Sequence, residues 1–333
     1  MTPTSLTSAQ LTAVLEPLGE VAHSEPLTGG MFAVTSAVTL VGGARVIVKA
    51  TPTDVRKLCR YEHGIAASEA LVYEMLAGRA PVPEVLLTDF TRSVVDADIV
   101  VTRQLSGRVW NDLELDAAAT ARARRALGAL MAELHRVPAP AFGYPAHETG
   151  MRCHDWRTAV TAMFDGILHD AAESGTIVPE PRVRAVLARH GHALDAVTAP
   201  VVVHNDLWPA NIFLDEDLRI VGLIDTERTV WGDPLFDLVG ANQMAEEGAG
   251  EQIIEGDTDA GGVLAAELAS PTGPIRLALY RLYYRLILVT EIDIRGFEGE
   301  WLTQYRASVA RLLDDALHDL EAEAPRAGYE SAM

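Results

Sequence analysis

The 333 residues predict an α+β protein of two lobes, a small β-rich one followed by a larger, mostly helical one. Three observations carry this. The chain is too long for one comfortable core and about right for two, which implies a cleft. Its first hundred residues read as short β-rich runs around a single helix, and after Gly107 long Ala- and Leu-rich helical patterns take over. The expected division is residues 1–104 and 108–333, with a linker at about 102–107.

Taken in order, "MFAVTSAVTLVGGARVIVKA" (31–50) holds two β-type runs split by a Gly-Gly turn, a hairpin ending near Lys49. "LTGG" (27–30) just before it is a flexible corner. Residues 65–77 repeat helically, Gly78 supplies the C-terminal stop, and "APVP" (80–83) forces an extended exit. A strand pair follows, ending in "DADIVVTRQLSG" (96–107). Residues 115–137, 155–172 and 180–197 read as helices, and Pro200 marks the switch into "VVVHNDLWPANIF" (201–213). Residues 211–214 and 218–224 are two further β-type runs separated by "DED", an antiparallel hairpin. "LALYRLYYRLILV" (277–289), interrupted by Arg281 and Arg285, is a core helix too short to cross a bilayer.

Composition narrows the function. A net charge of −20, from 47 acidic and 27 basic residues, repels phosphate backbones and anionic membranes. Neither nucleic acid nor membrane is therefore an expected partner, and no protein partner is implied. A cationic small molecule would be favoured, although acidity also serves solubility alone. Cys59 and Cys153 indicate no disulfide framework or metal cluster, and the N-terminal stretch shows no export pattern, so a cytoplasmic location is expected.

The chemistry concentrates at 204–225. Asn211 opens one strand of the second hairpin and Asp225 closes the other, so both lie at one end, where the loop bearing Asp206 also arrives. Two carboxylates and a carboxamide are hard oxygen donors and proton acceptors, suited to magnesium and a phosphoryl acceptor. The spacing His-x-Asp-x-x-x-x-Asn with a later Asp is the kinase catalytic-loop arrangement. On "HNDLWPANIF", "GLIDTERTVWGDPLFDL" and "VIVK", the chain resembles the aminoglycoside-phosphotransferase and small-molecule-kinase branch of the protein-kinase-like fold, over about residues 27–240.

That resemblance implies a bilobal kinase-like fold and an enzyme that moves phosphate from ATP or GTP, with Mg²⁺, to a hydroxyl of a small molecule. Asp206 would accept or orient the hydroxyl proton, and Asn211 and Asp225 would hold magnesium. His204 would fix the loop, and Asp233 and Asp237 would brace it. Lys49, one of only two lysines in the chain, would reach the nucleotide phosphates, because selection of lysine over arginine needs a point charge. Of Glu62, Glu69 and Glu74, Glu69 falls within the apolar stripe of the 65–77 helix, where a carboxylate is costly unless paired, so it is the expected partner of Lys49.

Thr28, Gly29 and Gly30 would lie over the phosphates. Adenine would meet Thr102 to Gln104, between walls including Val34 and Ile47. Trp208, Glu227, Arg228 and Trp231 are candidate acceptor contacts. "IDTE" in place of Asp-Phe-Gly removes the basis for an activation flip, so a constitutively active enzyme is expected. The acidic, Gly-rich stretch 245–262 is either a mobile flap for a cationic acceptor or a solvated loop. An antibiotic acceptor of aminoglycoside or nucleoside type leads. Amino-sugar, sugar or other metabolite kinases and a catalytically inactive nucleotide-binding module remain alternatives.

Overall fold

The computed structural model describes residues 6–27, 33–244 and 250–323. Thr28, Gly29 and Gly30 lie outside these, as do residues 245–249. The N-terminal part is an antiparallel five-stranded sheet in the order β1-β2-β3-β5-β4, formed by β1 (Val21–Leu27), β2 (Val34–Leu40), β3 (Arg45–Thr51), β4 (Val85–Asp89) and β5 (Asp98–Arg103). The β2–β3 turn is closed by Leu40 and Ala44, and Gly43, at φ +84°, supplies the left-handed step it needs.

Alternation along β3 assigns its two faces. Val46, Val48 and Ala50 point with Val38, Ile99 and Val101 into a cluster under α1 (Ser8–Leu15), built on Leu11, Val14 and Leu15. Lys49 takes the other face. It pairs in register with Val100, which packs on Ala66 and Ala70 of α2 (Ile65–Leu76). A one-residue slip would send Lys49 into the α1 cluster, so the hydrophobic alternation is what aims it at α2. Val34 sits opposite Ala50 and packs on the α1 side, whereas Ile47 shares the Lys49 face. The expected pairing of Val34 and Ile47 as walls of one pocket is therefore corrected.

α2 ends as its sequence requires, with Gly78 left-handed at φ +72° and the Arg79 and Ala80 N–H groups returning to Leu76 O. β6 (Arg108–Val109) joins β8 (Ile212–Leu214) and β9 (Ile220–Leu223) in a three-stranded sheet, and β7 (Val201–Val203) pairs with β10 (Val230–Gly232). The rest is helical: α3 (Ala117–Leu134), α4 (Trp156–Ser174), α5 (Glu180–His190), α6 (Leu235–Gly240), α7 (Glu251–Asp259), α8 (Leu264–Ala269), α9 (Gly273–Ile294) and α10 (Leu302–Ala322). Asp116 and Asp155 cap α3 and α4 by accepting from Ala119 N and Thr158 N.

α9 runs through the centre of the helical core, with Leu279, Tyr280, Leu282 and Tyr283 fully enclosed. Trp110 and Trp156 belong to the same core. α9 also fastens the segment ahead of α2, because Arg295 pairs with the buried Glu62.

The 245–262 stretch departs from expectation. Residues 251–259 form α7, which crosses α3 at backbone contact. A Cβ on Gly128 would stand 1.9 Å from Ile253 O, and one on Gly256 1.9 Å from Arg125 O. Gly256 thus serves close approach rather than loop flexibility, with Ile253 and Asp257 turned inward. The described part of this segment is a docked helix, neither a flap nor a solvated loop. Among the described residues no helix is long and apolar enough to cross a membrane.

Candidate active site

Three local units converge on one cluster of side chains. The first is the loop after β7. His204 Nε2 meets Ile224 O at 3.0 Å, and the Asp206 N–H donates to Nδ1 at 3.2 Å. A carbonyl can only accept and an amide N–H only donate, so Nε2 is the donor and Nδ1 the acceptor. Asn205 takes φ +61°, and its N–H donates to Asp237 Oδ1 at 2.7 Å. Asp237 in turn meets His135 Nε2 at 2.9 Å. Gly240 leaves room for this bend, since a Cβ there would lie 2.5 Å from the Asn205 carbonyl carbon. Asp233 accepts from Leu235 N, Tyr280 O–H and Arg276. Both aspartates are fully buried.

The second unit is the β8–β9 hairpin. Ile212 faces Leu223, and the Ile224 N–H donates to Asn211 O at 3.0 Å, which brings Asn211 and Asp225 to the same end. Asn211 Nδ2 donates to Asp206 O at 2.9 Å and to its Oδ2 at 3.0 Å. Asp225 sits in the left-handed region at φ +65°, a conformation that aspartate tolerates better than most residues.

The third unit is Lys49 with α2. Its ammonium donates to Glu69 at 3.1 Å, to Asp225 at 2.9 Å and to Glu227 at 2.9 Å. Tyr73 joins the units, because its hydroxyl donates to Glu69 Oε1 at 2.9 Å and accepts the Asp225 N–H at 3.0 Å.

The charges are strongly shifted. Burial opposes a charged Lys49, yet Asp225, Glu227 and Glu69 hold its pKa well above the ordinary lysine value. Burial also works against an ionised Asp225, but Lys49 overrides it and keeps the carboxyl low. Burial and the neighbouring Asp225 charge push Glu227 up to about 8. Burial lifts Glu69 and Asp206 above the usual carboxylate range, against the pull of Lys49 on the former and Arg228 on the latter.

Among the described residues no group of three His, Cys, Asp or Glu side chains is arranged to hold a metal ion. Magnesium does not need one, since it takes one or two protein oxygens and completes its shell with phosphate and water. Asn211 spends its Nδ2 on Asp206 and accepts no hydrogen bond at Oδ1 among the described residues, while the Asp225 side chain is one-third exposed. These two oxygen donors fit the ion.

The remaining candidates divide. Trp208, two residues after Asp206 in the chain, is 40 % exposed. Trp231 is 1 % exposed with the Arg152 guanidinium over its ring, so the expectation of a substrate contact fails there, because β10 pairs with β7 inside the core. Arg228 also turns inward, to Glu291 and Tyr284, and Glu227 faces Lys49. Thr102 lies within β5, and the Gln104 N–H donates to Arg45 O. Sequence reasoning missed Tyr73, Gln243 and Tyr284, all of which touch the site residues. The signal for Tyr284 was a tyrosine, a glutamate and arginines set into a helix otherwise apolar enough to be buried all round.

The chain belongs to the phosphotransferase enzyme family, whose model matches residues 24–271, more than half of its length. Among solved structures it is similar to a thermostable mutant of aminoglycoside phosphotransferase APH(4)-Ia in ternary complex with AMP-PNP and hygromycin B, at 17% identity and TM-score 0.66, covering 96% of this chain and 100% of that one. A candidate fructosamine-3-kinase from Thermobifida fusca matches at 20% identity and TM-score 0.63, covering 94% and 98%. A macrolide 2'-phosphotransferase type I matches at 20% and 0.58, covering 93% and 98%. These likenesses establish the bilobal, kinase-like α+β fold. No curated protein matches the sequence.

Proposed function

We propose that this phosphotransferase carries the γ-phosphoryl group of ATP or GTP to a hydroxyl of a small molecule, with Asp206 as the base. The observation that carries the reading is the meeting of Lys49, from the β-sheet, with Asp225, 176 residues later, at 2.9 Å, on the hairpin that also holds Asn211 against Asp206. With the lobes divided at 104/108, this meeting is one of the contacts between them, alongside Tyr73 with Asp225 and Glu62 with Arg295.

Each residue then has a task. Asp206 accepts the proton of the acceptor hydroxyl as that oxygen bonds to the γ-phosphorus. The bond from phosphorus to the β,γ-bridging oxygen breaks, and the nucleoside diphosphate leaves with the electron pair. Lys49, held by Glu69, neutralises phosphate charge as a point cation. Asn211 and Asp225 would hold Mg²⁺, which supplies charge neutralisation on the transferring phosphate. His204, Asp233 and Asp237 keep the loop in place. Thr28, Gly29 and Gly30 cover the phosphates, and a nucleobase contact at Gln104 uses its carbonyl or side chain, since its N–H is spent. Trp208 offers a ring face to the acceptor.

The leading acceptor class is an antibiotic of aminoglycoside or nucleoside type, supported by the net charge of −20 and by the neighbour that binds hygromycin B. A metabolite kinase is the second reading, supported by the fructosamine-3-kinase-like neighbour, and a preference for uncharged or anionic acceptors would select it. The presence of Lys49, Asp206, Asn211 and Asp225 together speaks against an inactive module. The test is a Mg-dependent screen of ATP and GTP consumption over aminoglycosides, macrolides, nucleoside antibiotics, amino sugars and amino alcohols, with mass detection of an added phosphate. Asp206→Asn should abolish transfer while nucleotide binding persists; wild-type turnover in that variant would refute the assignment.

A further inference from the structure

Asp206 carries more hydrogen bonds than the scheme above uses. Asn211 engages Oδ2 at 3.0 Å, while Oδ1 accepts from the Tyr284 hydroxyl at 3.1 Å and from Gln243 Nε2. Tyr284 comes from the middle of α9, is fully buried, and lies 78 residues from Asp206 in sequence. Its hydroxyl also accepts from Arg228 Nη1 at 3.1 Å. A guanidinium has no acceptor, so this contact dictates the direction of the tyrosine proton. The phenol must receive from Arg228, and its only proton is then free for Asp206.

Arg228 is itself fixed. Its Nη2 donates to both oxygens of Glu291, at 2.8 and 3.0 Å, and Glu291 further accepts from Tyr61 O–H. Arg295 stands 3.9 Å from Glu291 and pairs with Glu62. Five buried charges thus alternate in sign, from Asp206 through Arg228, Glu291 and Arg295 to Glu62. Tyr284, Glu291 and Arg295 follow at steps of seven and four, one face of α9. Gln243 differs from the other donors to Asp206, being only partly buried where Tyr284 and Asn211 are buried. Of the three donors it is therefore the one that an acceptor hydroxyl would displace.

We propose that Tyr284, backed by Arg228 and Glu291, is a positioning residue that holds Asp206 Oδ1 in line and leaves the place of Gln243 as the seat of the acceptor hydroxyl. This rests on the reading of Asp206 as the base. A small misalignment of a catalytic group costs rate rather than affinity, so removing the phenol should act on kcat.

The test is steady-state MgATP turnover read as ADP release, with water as the acceptor. Tyr284→Phe preserves the ring and should lower kcat about 10- to 100-fold, with KM for MgATP changed less than about twofold. Tyr283→Phe is the control, since it removes a buried phenol one residue away that among the described residues bonds only to Tyr144, and it should leave kcat unchanged. Arg228→Lys offers an independent check. The guanidinium reaches Tyr284 through Nη1 and Glu291 through Nη2, and a shorter side chain ending in one nitrogen does not reproduce that planar fork, so a kcat loss of the same kind is expected. A kcat for Tyr284→Phe within twofold of wild type, a loss matched by Tyr283→Phe, or a loss carried by KM overturns the positioning role. If Asp206→Asn turns over normally, the underlying assignment of the base has failed instead.

Discussion

Replacing Lys49 with Met keeps the aliphatic stem and removes the one cation shared by Glu69, Asp225 and Glu227. Among the described residues, Glu69, 3 % exposed, would keep only the Tyr73 hydroxyl. A carboxyl left in that position takes up a proton, because a lone buried charge costs more. From the reference value of 4.5, protonation at pH 7 spans 2.5 pH units and costs about 3.4 kcal/mol at roughly 1.36 kcal/mol per unit. At pH 5 the same step costs about 0.7 kcal/mol.

The sign follows from linkage. A carboxyl whose pKa is raised on folding keeps a proton that the unfolded chain has released, so stability falls as pH climbs from the unfolded toward the folded value. Wild-type Glu69 already sits above its ordinary value through burial, with Lys49 pulling it back, and Lys49→Met removes that pull. An unfolding entropy of roughly 2.1 cal/mol/K per residue converts the cost into a melting temperature lower than wild type by at most about 5 °C at pH 7 and about 1 °C at pH 5, since the wild type already bears part of it. Thermal melts of wild type and variant in matched buffers, without nucleotide or magnesium, would measure both. Adding Glu69→Gln to the variant should recover most of the neutral-pH deficit. An equal deficit at both pH values would assign the effect to lost packing and refute the argument, as would no deficit at pH 7.

Other expectations follow from single contacts. Asp237→Ala removes the acceptor of Asn205 N–H and the partner of His135, so we expect a loss of about 1–3 kcal/mol in stability and a fall in kcat larger than any change in nucleotide affinity. Gly256→Val places side-chain carbons where Arg125 O stands 1.9 Å away and should cost about 1–3 kcal/mol, read by denaturant melts. Gly42→Ala, with nothing within 4 Å, should be silent in the same assay. Glu227, pushed up to about 8 by burial and Asp225, should make the wild type without magnesium lose stability as pH rises from about 4.5 toward 8. Glu227→Gln should flatten that slope, and melts across the range in chelator would detect it.

Much of the site was readable because its parts are local. Alternation along 45–51 and the Gly-Gly turn aim Lys49, and a short hairpin needs only its own turn to bring Asn211 and Asp225 together. The helical stripe singled out Glu69 because an apolar face makes an unpaired carboxylate expensive. Where local signals competed, the reading went astray. The glycines and acids of 245–262 have the composition of a loop, yet Gly128 on α3 accepts α7 at backbone distance, a match across more than a hundred residues. Trp231 looked available beside a catalytic segment, but its strand pairs with β7 and is covered.

The sequence by itself determined which groups could do chemistry and which short units present them, because strand alternation, turn glycines and hairpin register act over a few residues. Only the tertiary structure decided which groups meet: that Tyr73 bridges Glu69 to Asp225, that Tyr284 reaches Asp206, and that Arg228 faces Glu291 instead of a substrate. Those contacts depend on where whole helices come to rest, which is set by the packing of the complete core and is written in no single segment.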